Sequence, residues 1–222
     1  MGRGYVLLDN HGVITGEPPE PNDDALAQEL QWIGHDGSVQ LREHRLISWA
    51  AINEQAWRLS FDTSLRADAG ATLNSPGSKG RIGGGYGGFF WRFPACDKVE
   101  VFTAQARGEE EVHGSVAPWV AWSADFEAGP GVSGPATIII AAPDAADAGE
   151  PWFVRVRGYP GLGSALAWDQ PVLIAPGAAL RRRFTVAIAD GRLSEDEARA
   201  LAAELVAQDS GTSSASTGRP AG

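Results

Sequence analysis

The sequence predicts an all-β antiparallel sandwich closed by one short C-terminal helix. Three observations carry that reading. Short apolar or alternating segments recur between turn signals along nearly the whole chain. Glycine and proline are abundant, 28 and 14 in 222 residues, which suits many turns between short strands. Only the stretch after Ser194 has helical spacing. An all-β chain of this length can form one domain with a sizeable core. Residues 1–208 are expected to form it. Residues 209–222 are rich in Ser, Gly and Thr, lack an apolar anchor and are expected to be a disordered tail.

Taken in order, Tyr5-Val6-Leu7-Leu8 reads as a first strand, followed by a turn-rich acidic loop from Gly16 to Asp24. Leu26–Ile33 and Val39–Trp49 are the next strands. On the second, Val39, Leu41, Ile47 and Trp49 share a face with Glu43 and Arg45, either a buried ion pair or the mark of a bulge. Trp57, Leu59, Phe61 and Leu65 alternate with polar residues, the clearest half-buried strand, and residues 51–55 are the hairpin connection. A loop from Asn74 feeds the glycine run Gly83–Gly88, which reads as a tight bend entering a buried Phe89-Phe90-Trp91 strand ended by Arg92.

Lys98–Ala106 and Pro118–Trp122 are strands separated by a polar turn at 108–114. Ala136–Ala142 is apolar throughout, so it is expected to be covered on both faces. Asp144–Pro151 reads as a loop. Trp152–Arg157, Leu166–Ile174 and Leu180–Ala189 complete the strands. Ser194 and Glu197 have capping-box spacing, and Ala198, Leu201 and Leu205 form the stripe of the helix, with Ala202 and Val206 beside it.

The formal net charge of −10 argues against a nucleic-acid surface, and alternation splits Arg181-Arg182-Arg183 across two faces. No apolar run is long enough for a membrane span and no signal peptide is visible, so a soluble cytoplasmic protein is expected. The single cysteine, Cys96, allows neither an internal disulfide nor a cysteine zinc cluster. The glycine run contains Gly83-x-Gly85-x-x-Gly88, but no helix follows it, so a dinucleotide site is not assigned. His11, His35, His44 and His113 lack ligand spacing. No metal or cofactor is therefore assigned, and His113 is the best placed of the four. No nucleophile elbow is present. Glu43, Asp62 and Glu150 are the carboxylates considered for paired acid–base chemistry, each also readable as a strand or loop charge. Arg92 and Arg155 each follow a bulky apolar run, where a guanidinium grips either a ligand or a structural acid.

The ordered blocks Asn74–Arg81, Gly85–Arg92, Gly114-Ser115-x-Ala117-Pro118-Trp119, Trp152–Arg155 and Asp190-Gly191 resemble the signature of a soluble bacterial family labelled methane oxygenase PmoA, over roughly Gly4 to Ala207. The resemblance implies a soluble β-sandwich associated with sugar-metabolism genes and oxidoreductases. At fold level it implies a galactose-mutarotase-like supersandwich. Longer members carry a His-rich segment ahead of the point where this chain begins, so an N-terminally shortened member is implied. Missing strands would leave an open sheet edge favouring a homodimer or instability.

The functional expectation is a protein that binds or modifies a carbohydrate or sugar-derived small molecule. Tyr86, Trp91, Arg92, Trp119 and Arg155 are the expected binding residues on a concave face. His113, Arg92 and Arg155 are the catalytic candidates, and an enzyme would need them to converge on one pocket. The alternative is a non-catalytic binding or interaction module. A metal-dependent oxygenase, as the family label suggests, stands third and would need a two-His-one-carboxylate set that the sequence does not display.

Overall fold

The computed structural model describes residues 9–213, so the strand expected at Tyr5–Leu8 and the last part of the expected tail lie outside the described residues. The described residues are all-β and antiparallel, with three helices. The large sheet is built from β1 (Val13–Gly16), β2 (Glu20–Asn22), β3 (Ala25–Ile33), β4 (Val39–Asn53), β5 (Ala56–Arg66), β8 (Cys96–Phe102), β9 (Trp119–Gly129), β10 (Val132–Ala141) and β14 (Ala179–Asp190). Its order is β1-β3-β4-β5-β14-β10-β9-β8, with β2 paired to β3. A small sheet of β11 (Trp152–Arg155), β12 (Gly161–Ser164) and β7 (Phe90–Arg92), in that order, packs over part of it. β6 (Ala71–Leu73) and β13 (Val172–Ile174) form a separate pair.

Strand alternation decides what each face buries. On the front face of the large sheet, Val120, Trp122, Ile138, Ile140, Phe184 and Val186 meet Trp152, Val154 and Leu162 of the small sheet. On the back face, Trp119, Ala121, Ile139, Ala141 and Ala187 lie under Ala198, Ala202 and Leu205 of the C-terminal helix α3 (Glu195–Ser213). The apolar run of β10 is thus buried on both sides, as expected. Burying each large side chain of this kind stabilises the fold by roughly 1.5–3 kcal/mol. β4 and β5 pair as a long hairpin whose turn is held by Gln55 N–H donating to Asn53 Oδ1 at 2.9 Å. Ser194 and Glu197 close a reciprocal capping box: Ser194 N–H donates to Glu197 Oε2 at 2.8 Å, and Glu197 N–H donates to Ser194 Oγ at 3.3 Å.

Four expectations are corrected. The C-terminal helix is long, not short, and continues to Ser213 into the stretch expected to be tail. The polar turn at 108–114 contains a one-turn helix, α1 (Glu109–Val112), because three glutamates favour a helix start and Val112 is fully buried. The loop at 144–151 begins as α2 (Pro143–Asp147), with Pro143 in the first turn and Ala145 buried. Leu166–Ile174 is not one strand. Its backbone leaves the ladder after β12, Ser75 Oγ donates to the Ala167 carbonyl, and pairing resumes only at β13.

Candidate functional site

The front face carries a cavity of about 320 Å³ where the small sheet leaves β3, β4 and β5 uncovered. Register places its charged groups. Arg45, Thr63 and Arg182 lie directly opposite one another across β4, β5 and β14, and Glu43, Leu65 and Leu180 form the next row. Residues opposite each other in antiparallel strands point to the same face, so both arginines and Glu43 are aimed inward. The second carboxylate, Glu150, arrives from the segment before β11. Phe61, Phe184 and Phe89 supply the wall, with Phe89 stacked on Phe184 at 4.3 Å between ring centroids, while the ring of Phe90 turns to the outer face of the small sheet.

Each carboxylate is held by a guanidinium and by neutral donors. Glu43 is 2% exposed. It accepts from Arg45 Nε at 2.9 Å and Thr63 Oγ1 at 3.0 Å on one oxygen, and from Trp32 Nε1 at 2.8 Å on the other. Glu150, also buried, accepts from Arg182 Nε at 2.8 Å and Nη2 at 2.5 Å, and from Ser164 Oγ at 3.3 Å. Arg45 lies over the Phe61 ring, and among the described residues its two Nη nitrogens have no hydrogen-bond partner. Of the two readings of Glu43 and Arg45, the buried pair is the one realised. The register irregularities of β4 fall elsewhere, between Val39 and Leu41 and between Ala51 and Asn53. Asp62 points to the back face and pairs with Arg183, so it takes no part in the cavity.

Tyr86, Arg92, His113 and Arg155 gather elsewhere, on the outer face of the small sheet around Phe153. In register, Arg155, Gly161 and Arg92 form one row across β11, β12 and β7, and Phe153, Gly163 and Phe90 form the other. Arg155 lies over Phe153, Arg92 over Tyr159, and Tyr86 meets Phe153 edge-on at 5.8 Å. Trp91 points the opposite way, into the front core. Trp119 is buried beneath α3 on the back of the large sheet. The expected binding set is therefore divided among three places. A pattern of bulky residues followed by arginine identifies strands, but only the register tells which face each residue takes.

His113 ties the glycine loop to β11. The Val154 N–H donates to His113 Nδ1 at 3.1 Å, which leaves Nε2 to carry the proton toward the Gly83 carbonyl, 3.2 Å away. Both nitrogens are engaged, so the ring acts here as a positioning group. Burial pushes its pKa below the ordinary 6.5, and the charge of Arg155 adds to that, against an opposing pull from the Gly83 carbonyl. The unfolded chain therefore takes up a proton at His113 before the folded one does. Stability contributed by this site is present above about pH 6.5 and is lost as pH falls below it toward the native value. The His113→Gln variant is expected to lose less stability between pH 7 and pH 5 (roughly that range) than the parent, measured by paired urea titrations.

Neither Thr63, Trp32 nor Arg182 was singled out from sequence as a site residue. The available signal was parity: Arg182 is two residues before the buried Phe184, and Thr63 lies between Phe61 and Leu65 on one face. Among the described residues, no three His, Cys, Asp or Glu side chains cluster as a metal-ligand set, and no helix is long and apolar enough to cross a membrane.

Fold and site together define a sandwich-like β protein with a charge-matched, aromatic-walled cavity on the front of its large sheet. The chain belongs to the family of unknown function DUF6807, whose family model matches residues 8–203. No curated protein matches it.

Proposed function

We propose that the front cavity binds a neutral, polyhydroxylated small molecule of the sugar class. The observation that carries this reading is the two arginine–glutamate pairs set in an aromatic wall. Two guanidiniums and two carboxylates sum to no formal charge, so an anionic ligand meets cations already matched by buried carboxylates. A polyol uses both kinds of group: its hydroxyls donate to the remaining carboxylate lone pairs and accept from the Nη nitrogens of Arg45. The phenylalanine rings suit the C–H faces of a sugar ring, and the volume is within the range of small-molecule sites. Both carboxylates are engaged by a guanidinium, and neither is set apart as a proton donor, so binding rather than glycosidic cleavage is the activity proposed.

Calorimetric titration with neutral hexoses, polyols and hexuronates tests this. At least one neutral sugar or polyol is expected to bind and to outcompete its uronate. Arg45→Met is expected to weaken that binding by about tenfold or more, as loss of a charged hydrogen bond does. Absence of binding by every neutral compound would overturn the proposal. A second reading, an interaction module, draws on Trp49 and Trp57, which stand 37% and 42% exposed on the same face beyond the cavity.

A further inference from the structure

The outer face of the small sheet has the opposite electrostatic character. Among the described residues, Arg42, Arg45, Arg66, Arg107, Arg182, Arg183, Arg192 and Lys98 all have acidic partners. Arg92 and Arg155 have none, a state they share with Lys79, Arg81, Arg157, Arg181 and Arg199 among the described residues, but these two flank one aromatic ring on the same sheet face, in a chain with a formal net charge of −10. Each is held instead on an aromatic ring, at 5.5 Å from Tyr159 and 5.5 Å from Phe153. Stacking of this kind fixes a guanidinium while leaving its in-plane donors open.

Between them lies the exposed ring of Phe90. Arg155 and Arg92 sit opposite Gly161 on its two neighbours, so their backbones are roughly 10 Å apart, two strand spacings. The ring of Phe90 lies across Gly161, where any Cβ would collide with it, and is 39% exposed. Glycine at 161 leaves room for an exposed aromatic ring to reach over the sheet between two cations that have no acidic partner.

We propose that this face binds a planar aromatic anion, its ring stacked on Phe90 and its oxyanion taken by Arg92 and Arg155. The shared chemistry is an oxyanion on an aromatic ring, which either a carboxylate or a phosphate ester supplies. The site is separate from the front cavity and does not depend on the function proposed for it.

Titration of the protein with phenyl phosphate and with benzoate, beside benzyl alcohol and inorganic phosphate, tests the assignment. At least one aromatic anion is expected to bind at one equivalent, and the tighter of the two identifies the oxyanion. Arg92→Gln and Arg155→Gln are each expected to weaken it about tenfold, and Phe90→Leu likewise, with thermal melting little changed because Arg92 and Phe90 are exposed and Arg155 is half-buried with no acidic partner. Arg45→Met is expected to leave it unaltered. The proposal is overturned if neither aromatic anion binds, if both arginine variants bind as the parent does, or if benzyl alcohol or inorganic phosphate binds as tightly as the aromatic anions.

Discussion

Glu43→Ala is expected to lower the stability of the fold by about 3 kcal/mol, the lower end of the range for breaking a buried ion pair. The cost comes from what the carboxylate leaves behind. Trp32 Nε1, Thr63 Oγ1 and Arg45 Nε would all lose their acceptor at once. Water reaches part of Arg45, whose side chain is 28% exposed, and that places the loss at the lower end. For a chain of this length, about 3 kcal/mol corresponds to a fall in Tm of roughly 6–12 °C. Glu43→Gln is expected to cost less, because one oxygen can still accept from Arg45 and Thr63. Removing both charges, as Glu43→Leu with Arg45→Met, is expected to cost less than the sum of the two single changes. Urea denaturation of the parent, the four single variants and the double variant measures this. A loss for Glu43→Ala no larger than for an ordinary surface change, about 0.5 kcal/mol, would show that the pair is not the fixed element described.

The front cavity was half legible in the sequence, and the reason lies in its parity. Glu43 and Arg45 interrupt an apolar face two residues apart, and such an interruption has only a few physical solutions. Sequence could present them, but the partners that choose between them are distant along the chain. Thr63 lies 20 residues from Glu43, and Arg182 lies 32 from Glu150. The pairing of β5 with β14, which brings Arg182 beside Thr63, crosses most of the chain and has no local signature. The strands of the hairpin and the capping box of α3 depend on near neighbours and are found where expected, except that β4 runs on to Asn53, so the connection expected at 51–55 shrinks to Glu54-Gln55. α1 and β12 were missed because each is short and is held by tertiary packing: Val112 and Leu162 are fully buried, while the sequences around them read as polar turn and glycine loop.

The glycines raise the same question in steric form, and Gly163→Ala is expected to be the most damaging single-methyl change to both proposed sites. A Cβ at Gly163 would fall on the backbone carbonyl oxygen of Phe89 and lie 3.0 Å from the Cα of Phe90. Backbone cannot swing aside as a side chain can, so β7 must separate from β12. The expected loss is about 3 kcal/mol, at the upper end for overpacking a close contact. Separation of β7 carries Phe89 away from its stack on Phe184 and displaces the Phe90 ring, so sugar and aromatic-anion binding should fall together. Gly161→Ala supplies the contrast. Its Cβ meets first the ring of Phe90, which can turn outward into solvent, so the stability loss is expected to be about 1 kcal/mol. Anion binding should still fall, while the front cavity keeps its ligand. Hydrogen exchange at the amides of β7 and β12 separates the two cases: protection is expected to be lost in Gly163→Ala and kept in Gly161→Ala. Equal protection and equal stability in the two variants would mean that β7 is held by its core-facing Trp91 rather than by close approach to β12, and that the outer face tolerates a wider sheet than its glycines imply.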